Sequence, residues 1–61
     1  MTLKELSERY PIYTKIRVYF GDSYLATYSP YELSIYPVAN KKVIKYELLP
    51  KRIIRVTLAV D

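Results

Sequence analysis

KIRVYFGDSYLATY, residues 15–28, decides the fold, because it reads as two short alternating runs hinged on Gly21-Asp22. From Ile12 onward, Ile12, Thr14, Ile16, Val18 and Phe20 point one way and Tyr13, Lys15, Arg17 and Tyr19 the other, the period of two that marks a half-buried strand. Gly21 supplies the positive φ that a type II′ hairpin turn demands at its first position. A two-residue turn sets Phe20 opposite Ser23, Tyr19 opposite Tyr24, Val18 opposite Leu25, Arg17 opposite Ala26, Ile16 opposite Thr27 and Lys15 opposite Tyr28. The aliphatic side chains then share one face, and Lys15, Arg17, Tyr19, Tyr24 and Tyr28 share the other. A loop one residue longer would instead pair Phe20 with Tyr24 and turn Tyr24 and Tyr28 into the core.

Upstream, Thr2-Leu3-Lys4-Glu5 is a capping box with Met1 and Leu6 at the staple positions, and Leu3, Leu6 and Tyr10 lie on one helical face. Pro11 disfavours helical geometry at Tyr10, so the spacing predicts a helix of about two turns over residues 3–10. Downstream, Ser29-Pro30-Tyr31-Glu32 is a second capping box with Pro at its favoured first position, cut short by Pro37. Ile35 and Val38 are the expected apolar plugs beneath this connector.

The last third repeats the period of two. Ile44, Tyr46 and Leu48 alternate with Lys45 and Glu47, and Ile54, Val56, Leu58 and Val60 alternate with Ile53, Arg55, Thr57 and Ala59. A three-residue loop over Pro50-Lys51-Arg52 sets Leu49 opposite Ile53, Leu48 opposite Ile54, Tyr46 opposite Val56 and Glu47 opposite Arg55. That loop places Arg52 near the left-handed region that Gly prefers; a four-residue turn is the alternative. The sum is an α+β domain over residues 1–61: an N-terminal helix on a four-stranded antiparallel sheet of two hairpins joined by a short helical connector, α-β-β-α-β-β. One helix covers one face, leaving the Tyr/basic face solvated, partner-bound or dimeric.

Composition narrows the chemistry. The 61 residues are 51% hydrophobic, with neither a low-complexity tract nor a long apolar run, which indicates a compact soluble chain and no membrane partner. The first ten residues lack the apolar segment of a secretory leader, and cysteine is absent, so the cytoplasm is the expected location. Without His or Cys, the commonest base, nucleophile and zinc ligands are missing; a single Gly rules out a glycine-rich phosphate loop. The acids Glu5, Glu8, Asp22, Glu32, Glu47 and Asp61 form no paired site: Glu5 and Glu32 cap, Asp22 turns and Glu47 pairs with Arg55. The expectation is a non-enzyme without cofactor or metal.

Eight tyrosines are the compositional anomaly. Tyr10, Tyr36 and Tyr46 suit a core that buries the ring and wets the hydroxyl. Tyr19, Tyr24 and Tyr28 beside Lys15 and Arg17 suit a protein-binding face, where Tyr and Arg are enriched, or a stacking surface for single-stranded nucleic acid. A second copy of the chain is a third candidate partner. Most of the +4 surplus lies in the second half, where Lys41, Lys42, Lys45 and Arg55 form a secondary basic stripe along the hairpin. Lysines at turns and on edge strands also guard against edge-to-edge aggregation.

The order MTLKELSERYPIYTKIRVY, with VIKYELLPKRIIRVTL as a closing hairpin, resembles small accessory proteins encoded by bacteriophages and mobile elements of Gram-positive bacteria. The resemblance implies stoichiometric binding to a protein or nucleoprotein target, including inhibition of host defence nucleases such as CRISPR effectors. It carries over no site residue. Many such nuclease inhibitors mimic DNA and are acidic, whereas this chain is basic.

Overall fold

A computed structural model describes residues 1–59. In chain order it comprises helix α1 (Leu3–Ser7), strands β1 (Lys15–Phe20) and β2 (Ser23–Tyr28), helix α2 (Pro30–Leu33), a 3₁₀ turn (Pro37–Asn40), and strands β3 (Val43–Leu49) and β4 (Ile53–Leu58). The inward position expected of Val60, and Asp61, lie outside the described residues.

The cap of α1 forms as expected: the Glu5 N–H donates to the Thr2 hydroxyl (3.2 Å) and the Thr2 N–H donates to the Glu5 carboxylate (3.0 Å). That backbone bond, followed by the Thr2 hydroxyl's own (3.1 Å), holds the Glu5 carboxyl below its ordinary value. The helix is shorter than the spacing predicts. After Ser7, the Arg9 and Tyr10 N–H groups bond three residues back, to Leu6 and Ser7, tightening the last turn before Pro11. A turn follows, with the Thr14 N–H on the Pro11 carbonyl (3.0 Å), so β1 starts at Lys15 and Ile12 is exposed rather than inward. In α2 the Glu32 N–H donates to the Ser29 hydroxyl (3.3 Å), while that hydroxyl donates to the Glu32 carboxylate (3.1 Å). Beneath the connector, Leu33 and Ala39 are buried and Val38 packs on the core, but Ile35 is exposed.

The sheet runs β2-β1-β4-β3 and is mixed, not wholly antiparallel. The hairpins are joined by a parallel pairing of β1 with β4, in the register Lys15↔Ile53 through Phe20↔Leu58. The second hairpin has the predicted register, with Leu49↔Ile53, Leu48↔Ile54, Tyr46↔Val56 and Glu47↔Arg55. Its three-residue loop puts both Lys51 (φ 64) and Arg52 (φ 61) in the left-handed region, and Arg52 stacks its guanidinium on the Tyr13 ring at 4.3 Å.

The first hairpin keeps the two-residue turn, with Gly21 at φ 57, and the pairs Phe20↔Ser23 and Tyr19↔Tyr24. Beyond them a β-bulge takes up Leu25. Val18 then pairs with Ala26, Arg17 with Thr27 and Ile16 with Tyr28, one residue out of the expected register. A one-residue shift exchanges faces, so Tyr28 packs against the core and the Tyr36 ring (centroids 5.2 Å), and Thr27 takes the outer position.

The core consists of Leu3 and Leu6 from α1, Leu33 from α2, and Ile16, Val18, Ile54, Val56 and Leu58 from the two central strands. Eight side chains of Val, Leu and Ile size, at about 1.5–3 kcal/mol each, provide the main favourable term in folding. The helices cover β1 and β4 but not β3. Tyr46 (40% exposed) and Leu48 (65%) therefore share the core side of the sheet without being buried, contrary to the sequence expectation, and Tyr36 is likewise open on one side.

Candidate binding face

The outer face is assembled by the parallel pairing. In each ladder, residues directly opposite share a face, so the registers define rows across all four strands. One row is Thr27, Arg17, Arg55 and Glu47; the next is Tyr24, Tyr19, Thr57 and Lys45. Lys15 lies one row beyond the arginines, beside Ile53. Two clusters that are far apart in sequence thus become one surface.

Within it, Arg17 and Arg55 occupy adjacent positions on neighbouring strands, about 4.8 Å apart along the ladder. Like charges so close repel, and the fold offsets part of that cost. The Arg55 guanidinium lies over the Tyr19 ring at 4.5 Å, where the negative face of the π system attracts it. Glu47 stands opposite Arg55 on the far side. Tyr19 meets Tyr24 edge to face (centroids 5.6 Å), and the Tyr24 and Thr27 hydroxyls are hydrogen-bonded at 2.7 Å. Arg55, Tyr19, Tyr24 and Thr27 therefore form a chain of mutually positioned side chains running from β4 to β2. Beside it, Lys45, Tyr46, Glu47, Arg55 and Thr57 line a concavity of about 320 Å³.

Of the residues singled out from sequence, Lys15, Arg17, Tyr19, Tyr24, Lys45 and Arg55 come together on this face. Tyr28 does not, because the Leu25 bulge sends it to the core side. Lys41 and Lys42 are exposed at the end of the sheet away from Lys15, where the Leu3 N–H donates to the Lys41 carbonyl (2.9 Å) and Thr2 bridges Lys42. Thr27, Glu47 and Thr57 complete the face without having been sequence candidates. A partial signal for Thr57 exists: Ile53 and the β-branched Thr57 leave the outer side of β4 with one charge, Arg55, as suits a central strand. Thr57 is accordingly buried (8% exposed) although it points outward.

The face offers cations, hydroxyls and aromatic rings. Among the described residues there is no group of three or more acids that could hold a metal ion, and no helix is long and apolar enough to cross a membrane. No family model, curated protein or solved structure matches the chain.

Proposed function

We propose that the chain is a non-catalytic binding module that docks its outer sheet face, stoichiometrically, on an acidic surface of a protein or nucleoprotein target. The observation that carries this reading is the juxtaposition of Arg17 and Arg55 in one row, flanked by Tyr19 and Tyr24. Two neighbouring guanidiniums are matched by carboxylates or phosphates, which they bind through bidentate hydrogen bonds. Side chains already held by cation–π, edge-to-face and hydroxyl contacts lose little freedom on docking, the condition under which a few residues dominate affinity. Inhibition of a host defence nuclease, which the resemblance of the first twenty residues implies, is one form such docking would take.

Single-stranded nucleic acid is the second reading, favoured by the exposed Tyr24 ring beside the arginines. It is the weaker one because Arg55 covers one face of Tyr19, and Tyr19 is itself half-buried, leaving a single freely accessible ring for stacking. Affinity capture from a lysate of the source organism, using the unaltered chain and the Arg17→Glu/Arg55→Glu variant, tests the proposal. A protein partner retained by the first and lost by the second is expected. Capture of no protein above background by a chain that binds oligonucleotides, with affinity falling steeply as salt rises, would overturn it in favour of the second reading.

A further inference from the structure

Strand β3 forms one edge of the sheet; a bulge takes up Ile44 between the pairs Val43↔Leu58 and Lys45↔Thr57, and beyond it Tyr46 and Leu48 on the core side are 40% and 65% exposed, with Ile44 itself 62% exposed. The beginning of the strand is occupied, since the Val43 N–H donates to the Met1 carbonyl (2.8 Å). From Ile44 onward, no described strand lies beyond it. An open row of backbone N–H and C=O groups beside an apolar stripe is a template for another strand.

The strand's own sequence specifies which one. Ile44-Lys45-Tyr46-Glu47-Leu48 is self-complementary when read antiparallel about Tyr46. In that register Lys45 faces Glu47 of a second copy and Glu47 faces its Lys45. On the other side of the sheet Tyr46 faces Tyr46, and each Leu48 meets the apolar side chain of the bulged Ile44 at the end of the paired segment. We infer that β3 pairs with β3 of a second copy, forming a two-fold symmetric dimer with a continuous eight-stranded sheet. A single edge lysine ordinarily repels a neighbouring strand; a glutamate two positions on, on the same face, turns that repulsion into selection of one register. The contact is isologous, so every favourable pair occurs twice except Tyr46 with Tyr46, which lies on the axis. It also sets the outer faces of the two copies side by side, although the dimer itself does not require them to bind anything.

The absence of cysteine makes a direct test available. With Tyr46→Cys, the two thiols lie opposite each other across the dimer axis, within the Cα separation that a disulfide spans. Oxidation should give covalent dimer much faster than Leu25→Cys, whose thiol would sit on the opposite edge strand. Sedimentation of the unaltered chain, from about micromolar to about millimolar, should show mass rising with concentration, as befits a small interface. Lys45→Glu or Glu47→Lys alone makes both charge pairs repulsive and should weaken association about tenfold or more; the double reversal should restore it. A concentration-independent monomer mass, equal cross-linking at positions 46 and 25, or a double variant no tighter than the single ones would overturn the inference.

Discussion

Replacing Tyr28 by alanine, and separately Tyr24 by alanine, asks whether the Leu25 bulge divides these residues between the two faces. Tyr28 is half-buried against the core and rests on the Tyr36 ring. Losing its packing costs about half of what a fully buried aromatic costs, roughly 1.5–2.5 kcal/mol. Losing the ring pair adds about 0.5–1 kcal/mol. Tyr24 is 56% exposed and gives up an edge contact and a surface hydroxyl bond, together under about 1 kcal/mol. With the full 1 kcal/mol set against Tyr24 the difference is about 1–2.5 kcal/mol, which for a domain of this size separates the midpoints of thermal unfolding by about 4–20 °C. Thermal and urea unfolding followed by circular dichroism measure it. Equal midpoints, or Tyr24→Ala the lower of the two, would refute the bulged register.

Deleting Leu25 should be tolerated to within about 1 kcal/mol, because it brings Tyr24 and Ala26 into regular alternation while keeping Tyr19↔Tyr24 and Val18↔Ala26; loss of cooperative unfolding would contradict this. Lys51→Gly should stabilise by about 0.5 kcal/mol, as relief of left-handed strain outweighs added freedom in the unfolded chain. Arg52→Gly should gain nothing, since it also forfeits the stacking on Tyr13; urea midpoints distinguish the two. Thr2→Ala should cost about 1 kcal/mol through the lost cap. Because the Glu5 carboxyl titrates lower in the folded chain than in the unfolded one, its contribution is full above the ordinary carboxylate range and is lost as pH falls through the folded value. Acid titration of stability should therefore lose only the hydroxyl's smaller part of that component in Thr2→Ala, whose residue-2 N–H still donates to the carboxylate, and should lose all of it in Glu5→Gln.

Local patterns carried most of the secondary structure. Thr2-Leu3-Lys4-Glu5, Gly21-Asp22 and Ser29-Pro30-Tyr31-Glu32 specify their caps and turn through contacts that reach no more than three residues; the first box and the turn form as expected, while at Ser29 the N-cap bond forms but the Glu32 carboxylate takes the Ser29 hydroxyl instead of closing the box on its N–H. The register of β3 with β4 was equally legible, because Leu48 with Ile54 and Glu47 with Arg55 agree on one alignment. What escaped depends on non-local choices. Nothing within SYLATY distinguishes a regular strand from one with a bulge at Leu25, as either alignment gives Tyr28 an acceptable neighbour. Adjacent hairpins suggest antiparallel joining, and only the scarcity of charge on the outer side of β4, where Arg55 is the one charged residue, hints that it lies centrally beside β1. The candidate face inherits both outcomes: it lost Tyr28 to the core, and the union of Arg17 with Arg55 was not readable from either hairpin alone.

The β1–β4 junction also sets how the molecule is made. Its paired residues are roughly forty positions apart in the chain, whereas each hairpin closes over a few. Either hairpin can form within microseconds, yet an isolated two-stranded hairpin is marginal in water, so neither half is expected to persist before they dock. Changes at the turns weaken hairpins that must form before docking, so they, like substitutions along Ile16, Val18, Ile54 and Val56, should slow folding. Arg17 and Arg55 come from opposite halves and meet only after docking. A target held by that pair would select folded chains and, by mass action, lower the fraction unfolded. Such binding would be linked to folding, and a core change that leaves an appreciable fraction of the chain unfolded would lower the concentration able to bind.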